Sequence, residues 1–421
     1  MNAVLDWNAT FLQAIRVRGG APGPIARAGA ILHIAVHDAV VAITPTHAPY
    51  LGGLGAAGTE NKEAAVHRAA HRVLTTLFPE QSATFDAELA QREGPLPAPG
   101  PQRAAVLAGR RIGDSAALAI IADRANDGHD DDSPYPIGTA PGAWRPVNAV
   151  TAPVTPRWGR VRPFSLPRGE SMENWLATFR PPAPGGAADL ASLLASDEYA
   201  SQLNEVKELG RFDSATRTPE QTEIAHFWAN DLDGTYKPPG QLFELTRALA
   251  VDEGLDLDAT AHLYALVAIA MADAAVVAWD AKYDTEFDLW RPDTAIQLAA
   301  LDGNCDTTAD PLWQPLSATY GGARFSPAFP AYISGHATFS AAHGRMMANF
   351  FGTDEKSFQL GTDDPFAVGV KRGFTSFSEA ARENGRSRVY LGVHFPWDAD
   401  EALPVADRLA DHIHQTLLIA I

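Results

Sequence analysis

An all-α fold is predicted by three features of the chain. Long alanine-rich segments carry apolar residues at i, i+3, i+4 and i+7; strand-like alternation with hairpin turns is scarce; and the breaks fall where proline and glycine cluster. The first such segment is IARAGAILHIAVHDAVVAI at 25–43, followed by 62–77 and 102–126. Further helices are expected at 187–209, 259–280 and 335–350. Alanine, leucine, glutamate and arginine dominate these stretches, and all four lose little on entering a helix. Breaks are expected at 94–101, 127–167, 181–186 and 302–330. The longest of them, 127–167, is too rich in proline, glycine and aromatic residues for a plain linker, and is expected to lie over the body as an ordered, irregular segment. A division near 210–220 would split the chain into two helical halves.

Composition narrows the function classes. The 421 residues are 46% hydrophobic and 20% charged, which fits a globular protein with a large core. With 33 basic and 51 acidic side chains the net charge is −18, so neither nucleic acid nor an anionic membrane is the expected partner. An anionic ligand would need locally clustered cations. The lone Cys305 excludes an intramolecular disulfide and reads as a loop residue. No stretch reads as a charge-free spanning helix and the N-terminus lacks a signal-peptide pattern, so a soluble protein, cytoplasmic or secreted, is expected.

Two side motifs receive plain readings. The acidic run HDDD at 129–132 lacks the ligand spacing and turn glycine of a calcium loop, and reads as a solvated loop. His33 and His37 lie four apart on one helix face, a spacing able to bind zinc, but without a third ligand they read as core or interhelical residues.

Between 279 and 398 three segments concentrate cations and imidazoles. Trp279 and Lys282 are followed by Arg291-Pro292; Ser334-Gly335-His336 opens a predicted helix; and Ser387-Arg388 precedes His394, Pro396 and Asp398. Lys282, Arg291 and Arg388 would together require an anion, and the two arginine charges are permanent. Ser334, Gly335 and a helix N-terminus offer a hydroxyl, an unobstructed N–H and a favourable dipole to a tetrahedral oxyanion. No P-loop pattern accompanies them. His336 is placed for acid–base work and His394 for direct contact with the central atom. Asp398, just inside the following helix, either fixes the His394 tautomer or acts as a helix-start carboxylate.

These segments resemble the signature of the vanadium-dependent haloperoxidases and the related type 2 phosphatidic acid phosphatase superfamily: Lys, then Arg-Pro, then Ser-Gly-His, then Ser-Arg with a His six residues after the Arg. WNATFLQAIR at 7–16 and the 25–43 helix are similar to the N-terminal helices of the bacterial branch. The resemblance implies two four-helix bundles, 1–215 and 216–421, with the oxyanion site in the second. It implies vanadate as cofactor, with phosphate able to occupy the same site. Lys282, Arg291, Ser334, Gly335 and Arg388 would bind its oxygens, His394 would coordinate vanadium, and His336 would be the acid–base residue. Trp279 and Phe329 match aromatics of the halide pocket in placement; packing is their alternative role. The implied partners are hydrogen peroxide, a halide (chloro- or bromoperoxidase type) and a small organic acceptor, with a homodimer as one oligomeric option. An acid phosphatase using His394 as nucleophile, or an acid–base enzyme of secondary metabolism without halide oxidation, are the alternatives on this scaffold.

Two positions depart from the family pattern. Eight residues, YDTEFDLW, separate Lys282 from Arg291 where six are usual, and Ile333 replaces the proline before Ser-Gly-His. The longer interval is expected to bring Asp284, Glu286 and Asp288 near the site, where they would repel anions. The lost proline is expected to loosen the approach to Ser334.

Overall fold

All six expected segments are helical in the computed structural model, which describes residues 2–146 and 152–421. The first group of helices is α1 (Ala3–Arg18), α2 (Pro22–Ile43), α3 (Lys62–Leu77), α4 (Ser82–Glu93) and α5 (Pro101–Asp123). Next come α6 (Met172–Phe179), α7 (Leu190–Leu194), α8 (Asp197–Leu209), α9 (Pro219–Ala229) and α10 (Lys237–Asp252). The last group is α11 (Leu257–Tyr283), α12 (Pro292–Gln297), α13 (Gly335–Phe351), α14 (Phe377–Tyr390), α15 (Pro396–Asp400) and α16 (Ala402–Thr416). The segment expected as one helix at 187–209 is two, because Ser196 restarts the helix: its hydroxyl accepts from the Tyr199 N–H at 3.1 Å.

Strand-like alternation, scarce in the sequence, gives one antiparallel hairpin among the described residues, β1 (Glu355–Gly361) with β2 (Lys371–Ser376). Its inward face is little more than Phe358, Leu360 and Phe374 against Phe377 of α14, too short an alternation to stand out. The all-α class otherwise holds.

Helix α11 organises the molecule. It packs on α2 along one side and on α13 along another, and nearly every residue from Thr260 to Tyr283 is buried. A helix apolar all round belongs inside a core. Both α2 and α11 are long and apolar enough to cross a membrane, but neither is free of charges, with Arg27 and Asp38 in α2 and Asp273 in α11, and 94% of each apolar window is buried against other helices. Small residues set the closeness of the packing. A Cβ on Gly109 or Gly113 of α5 would lie 2.2 or 2.1 Å from backbone oxygens of Asn61 and Ala65, so α3 and α5 meet backbone to backbone.

The irregular segment after α5 is ordered over its described part and pinned by carboxylates. Buried Asp127 takes the Arg27 and Arg124 guanidinium groups, each at 2.8 Å, and buried Asp273 of α11 accepts from the Phe164 and Ser165 N–H groups at 2.6 and 2.8 Å. Asp130, Asp131 and Asp132 of the acidic run are exposed, as is Cys305. His33 stacks on Tyr264 at 4.5 Å with neither ring nitrogen hydrogen-bonded, and His37 leans on Asp38 at 3.2 Å.

Candidate oxyanion site

The last turn of α11 carries Trp279 and Lys282, three residues apart and so on one face. The chain then turns and Arg291 caps α12. Residues 329–334 run across this corner to Ser334, the N-cap of α13, whose hydroxyl accepts from the Ala337 N–H at 3.4 Å. Arg388 sits in the last turn of α14. Gly392 then bends the chain at φ 81°, where a Cβ would fall 2.4 Å from the Gly210 carbonyl oxygen, and so delivers His394 just ahead of Pro396 and α15.

These turns bring Lys282, Arg291, Ser334, Gly335, His336, Arg388, His394 and Asp398 into one buried cluster. His394 Nδ1 bonds the Asp398 carboxylate at 2.7 Å, and the same oxygen accepts the Phe395 N–H at 3.0 Å. Asp398 is therefore both the histidine's partner and a helix-start carboxylate. A carboxylate on Nδ1 holds the proton there and leaves Nε2 with a lone pair, toward which Arg291 Nη1 donates at 3.0 Å. Arg291 Nε and Nη1 also hold the Phe329 and Val393 carbonyls at 2.7 and 2.6 Å. Lys282 Nζ spends two donors on the Pro330 and Ala331 carbonyls at 2.8 and 3.0 Å.

Donors remain unspent in the cluster. Arg291 Nη2 and Arg388 Nε and Nη1 are buried without partners, as is Asp398 Oδ1. Orphaned buried guanidinium donors cost free energy, and an oxyanion is the ligand that satisfies them. The charges also repel one another. Burial, with Arg291 beside it, pushes Lys282 well below the usual lysine range; burial pushes Arg291 down to about 10. Burial, then Arg291, Lys282 and Arg388, hold His394 well below its usual value, while burial raises Asp398. Burial and Arg388 push His336 down to about 4. A dianion placed among these groups reverses that field.

A cavity of about 230 Å³ opens onto Gly335, His336, Arg388 and His394. Lys282, Arg291 and Ser334 stand behind its wall. Trp279 and Phe329, with ring centroids 5.1 Å apart, line it, joined by Phe325 and Phe339. Lys282 Nζ lies 5.1 Å from the Phe329 ring centre.

Residues that sequence reasoning missed complete the site. Asp231 pairs with Arg388 Nη2 at 2.7 Å and lies 3.9 Å from His336 Nε2, and the Ala229 carbonyl faces that same nitrogen at 2.9 Å. Burial works against the Asp231 carboxylate, but Arg388 and His336 hold it below the usual range. In sequence Asn230-Asp231-Leu232-Asp233-Gly234 is indistinguishable from an ordinary helix-ending turn. Conversely, the expectation for Asp284, Glu286 and Asp288 is corrected: none lines the cavity. Asp284 pairs with Arg160 at 2.6 Å, Glu286 is exposed, and Asp288 takes the Tyr135 hydroxyl at 3.0 Å, while Phe287, Leu289 and Trp290 of the same interval are the residues turned into the core. Nor is Ser334 loose: its N–H donates to the Asp398 carbonyl at 2.8 Å, and Ile333 is fully buried.

Fold and cluster together define a helical protein with a buried, cationic, histidine-bearing cluster that opens onto a cavity. Residues 262–419 match the family described as the VCPO second helical-bundle domain. The chain is 27% identical to the vanadium chloroperoxidase of Curvularia inaequalis over 95% of its own length and 80% of that protein. The chain is thus similar in sequence to a vanadium-dependent haloperoxidase, with its second half carrying the matched domain. Two solved structures share the fold. A bacterial vanadium-dependent iodoperoxidase aligns with TM-score 0.78 and 24% identity over 99% of this chain and 96% of that one. A holo-type bacterial vanadium-dependent chloroperoxidase gives TM-score 0.73 and 16% identity over 95% and 93%.

Proposed function

We propose that this chain is a vanadate-dependent haloperoxidase that oxidises chloride or bromide with hydrogen peroxide and passes the halogen to a small organic acceptor. The observation that carries the reading is the set of buried, unspent donors on Arg291 and Arg388 around a histidine whose Nε2 is kept unprotonated by Asp398. His394 Nε2 would hold vanadium. The free guanidinium donors, the third Lys282 proton, the Ser334 hydroxyl and the Gly335 N–H would take the oxygens. Phosphate, of the same shape and charge, would fit the same donors.

Bound vanadate supplies a Lewis-acidic centre that makes hydrogen peroxide electrophilic toward halide. In the net reaction halide loses two electrons, peroxide gains them, and one proton is consumed to give hypohalous acid and water. His336 is the group on the cavity wall able to hold and deliver that proton. Its Nε2 can bond a carbonyl only by donating, so its Nδ1 carries the lone pair. Raised by a bound dianion from about 4 toward neutrality, it would exchange a proton near physiological pH. The aromatic wall of Trp279, Phe325 and Phe329 excludes water and suits a weakly hydrated halide and an apolar acceptor.

The test loads metal-free protein with orthovanadate and follows peroxide-dependent oxidation of a phenolic dye with bromide and with chloride, beside hydrolysis of an aryl phosphate. Halide-dependent oxidation only in the loaded protein is expected. No oxidation with vanadate bound overturns the reading, and phosphate ester hydrolysis inhibited by vanadate replaces it with the phosphatase.

A further inference from the structure

The turn between α9 and α10 supplies His336 with one partner and Arg388 with another, from residues on either side of Asn230. Asn230 itself adopts the left-handed conformation, φ 44° and ψ 28°, which asparagine tolerates better than most residues. It is fully buried, yet among the described residues its hydrogen bonds reach no member of the cluster. Its hydrogen bonds run instead to the connection that follows β1 and to α10.

That tether is dense. The Asn230 side-chain N–H donates to Thr362 Oγ1 at 3.1 Å and to Gln241 Oε1 at 3.0 Å, its Oδ1 accepts the Asp363 N–H at 3.2 Å, and its backbone N–H donates to Asp364 at 3.1 Å. Its carbonyl accepts from Thr235 at 2.9 Å. Lys237 Nζ holds the next carbonyl, that of Asp231, at 2.8 Å. A buried amide with all its groups engaged has one orientation, and the peptide planes beside it are fixed with it.

We infer that Asn230, tethered to residues 362–364, is a positioning residue that sets the His336 tautomer by aiming the Ala229 carbonyl at Nε2. The carbonyl accepts only a proton, so Nε2 keeps N–H and Nδ1 is left as the basic nitrogen. Asp231, on the other side of Asn230, is presented to Arg388 by the same turn. The inference goes beyond the haloperoxidase reading and takes from it only the use to which the basic nitrogen is put.

The test reads the tautomer directly, from imidazole ¹⁵N shifts of His336 near pH 7 in protein free of vanadate, phosphate, peroxide and halide, the resonances being assigned by difference from His336→Gln. The wild type is expected to show one form, protonated at Nε2. Asn230→Gly keeps the left-handed turn but loses the tether, and is expected to populate the Nδ1–H form to about one part in ten or more. Thr362→Val cuts the tether from its far end with a smaller effect in the same direction, and Thr362→Ser, which keeps the hydroxyl, restores the wild-type spectrum. A single Nε2–H form in folded Asn230→Gly overturns the inference. Should that variant not fold, an unchanged tautomer in Thr362→Val overturns it. Because no oxidation chemistry is measured, a failed haloperoxidase assay and a failed tautomer result are separate outcomes.

Discussion

Two pairs of buried histidines invite comparison: His33 and His37 in α2, and His336 and His394 at the oxyanion cluster. Both pairs sit in helical surroundings, and His33, pushed down to about 3 by burial, resembles His336 in charge state. His37, with Asp38 at 3.2 Å from Nδ1, has a carboxylate partner as His394 does but does not line the cavity; His33 differs from the cluster pair in what its nitrogens reach. His33 stacks on Tyr264 and leaves both nitrogens bare, an arrangement in which ring packing of about 0.5–1.5 kcal/mol offsets part of the cost of burying polar atoms. His394 has a carboxylate on one nitrogen and a guanidinium on the other; His336 has a carbonyl and lies beside a carboxylate. Burial alone makes an inert ring. Oriented partners that fix the proton's position, on a ring that also faces a cavity, give the arrangement acid–base or ligand chemistry needs.

Substitutions should separate the two pairs. The largest effect is expected from His336→Ala, with turnover of vanadate-loaded protein down by about 10²–10⁴ while orthovanadate affinity, measured by calorimetry, changes little. A parallel collapse of affinity would make His336 a ligand instead of a proton carrier. His394→Ala should weaken orthovanadate binding by more than about 100-fold, exceeding what the loss of an outer partner costs. Asp398→Asn, which leaves the ring in place but removes its carboxylate, should cost about 10–100-fold in the same titration. His33→Phe should leave both readouts untouched and act only on stability. Unfolded, His33 takes up a proton below about pH 6.5, whereas the native ring does not until about pH 3, so its contribution to stability is lost as pH falls through that window. At pH 5 the variant should unfold less readily than wild type by about 2 kcal/mol in excess of any difference at pH 8, read from denaturant titrations.

A different acid limb comes from carboxylates. Burial raises Asp273 to about 6, so the native state holds its proton more tightly than the unfolded chain between pH 3.8 and about 6, and stability falls as pH rises across that interval. Asp273→Asn should flatten this dependence, but it puts an amide donor where the Phe164 and Ser165 N–H groups need acceptors, and should lower the melting temperature at every pH.

Much of the fold was legible because helical periodicity is local: α3 spans 62–77, the range its apolar spacing predicts, and α2 and α13 lie within three residues of theirs. The β1–β2 hairpin was not, since its buried face is three side chains long. In the cluster, the residues read from motifs were those with distinctive chemistry at fixed short spacings. Asp231 and the Ala229 carbonyl escaped because a carboxylate in a turn and a backbone oxygen carry no local mark. The acidic interval 284–288 was misplaced for the converse reason: nearness in sequence to Lys282 says nothing about which way each side chain points, and Asp284 and Asp288 turn to Arg160 and Tyr135.

The sequence by itself determined the helices, the breaks between them, and the inventory of cations and imidazoles in the second half, because each follows from neighbours within a few residues. Only tertiary structure decided which of those groups are buried together, which donors remain unspent and which tautomer each histidine holds. Desolvation and hydrogen-bond direction depend on atoms brought together from α9, α11, α13, α14 and the turn after β1, more than a hundred residues apart in the chain.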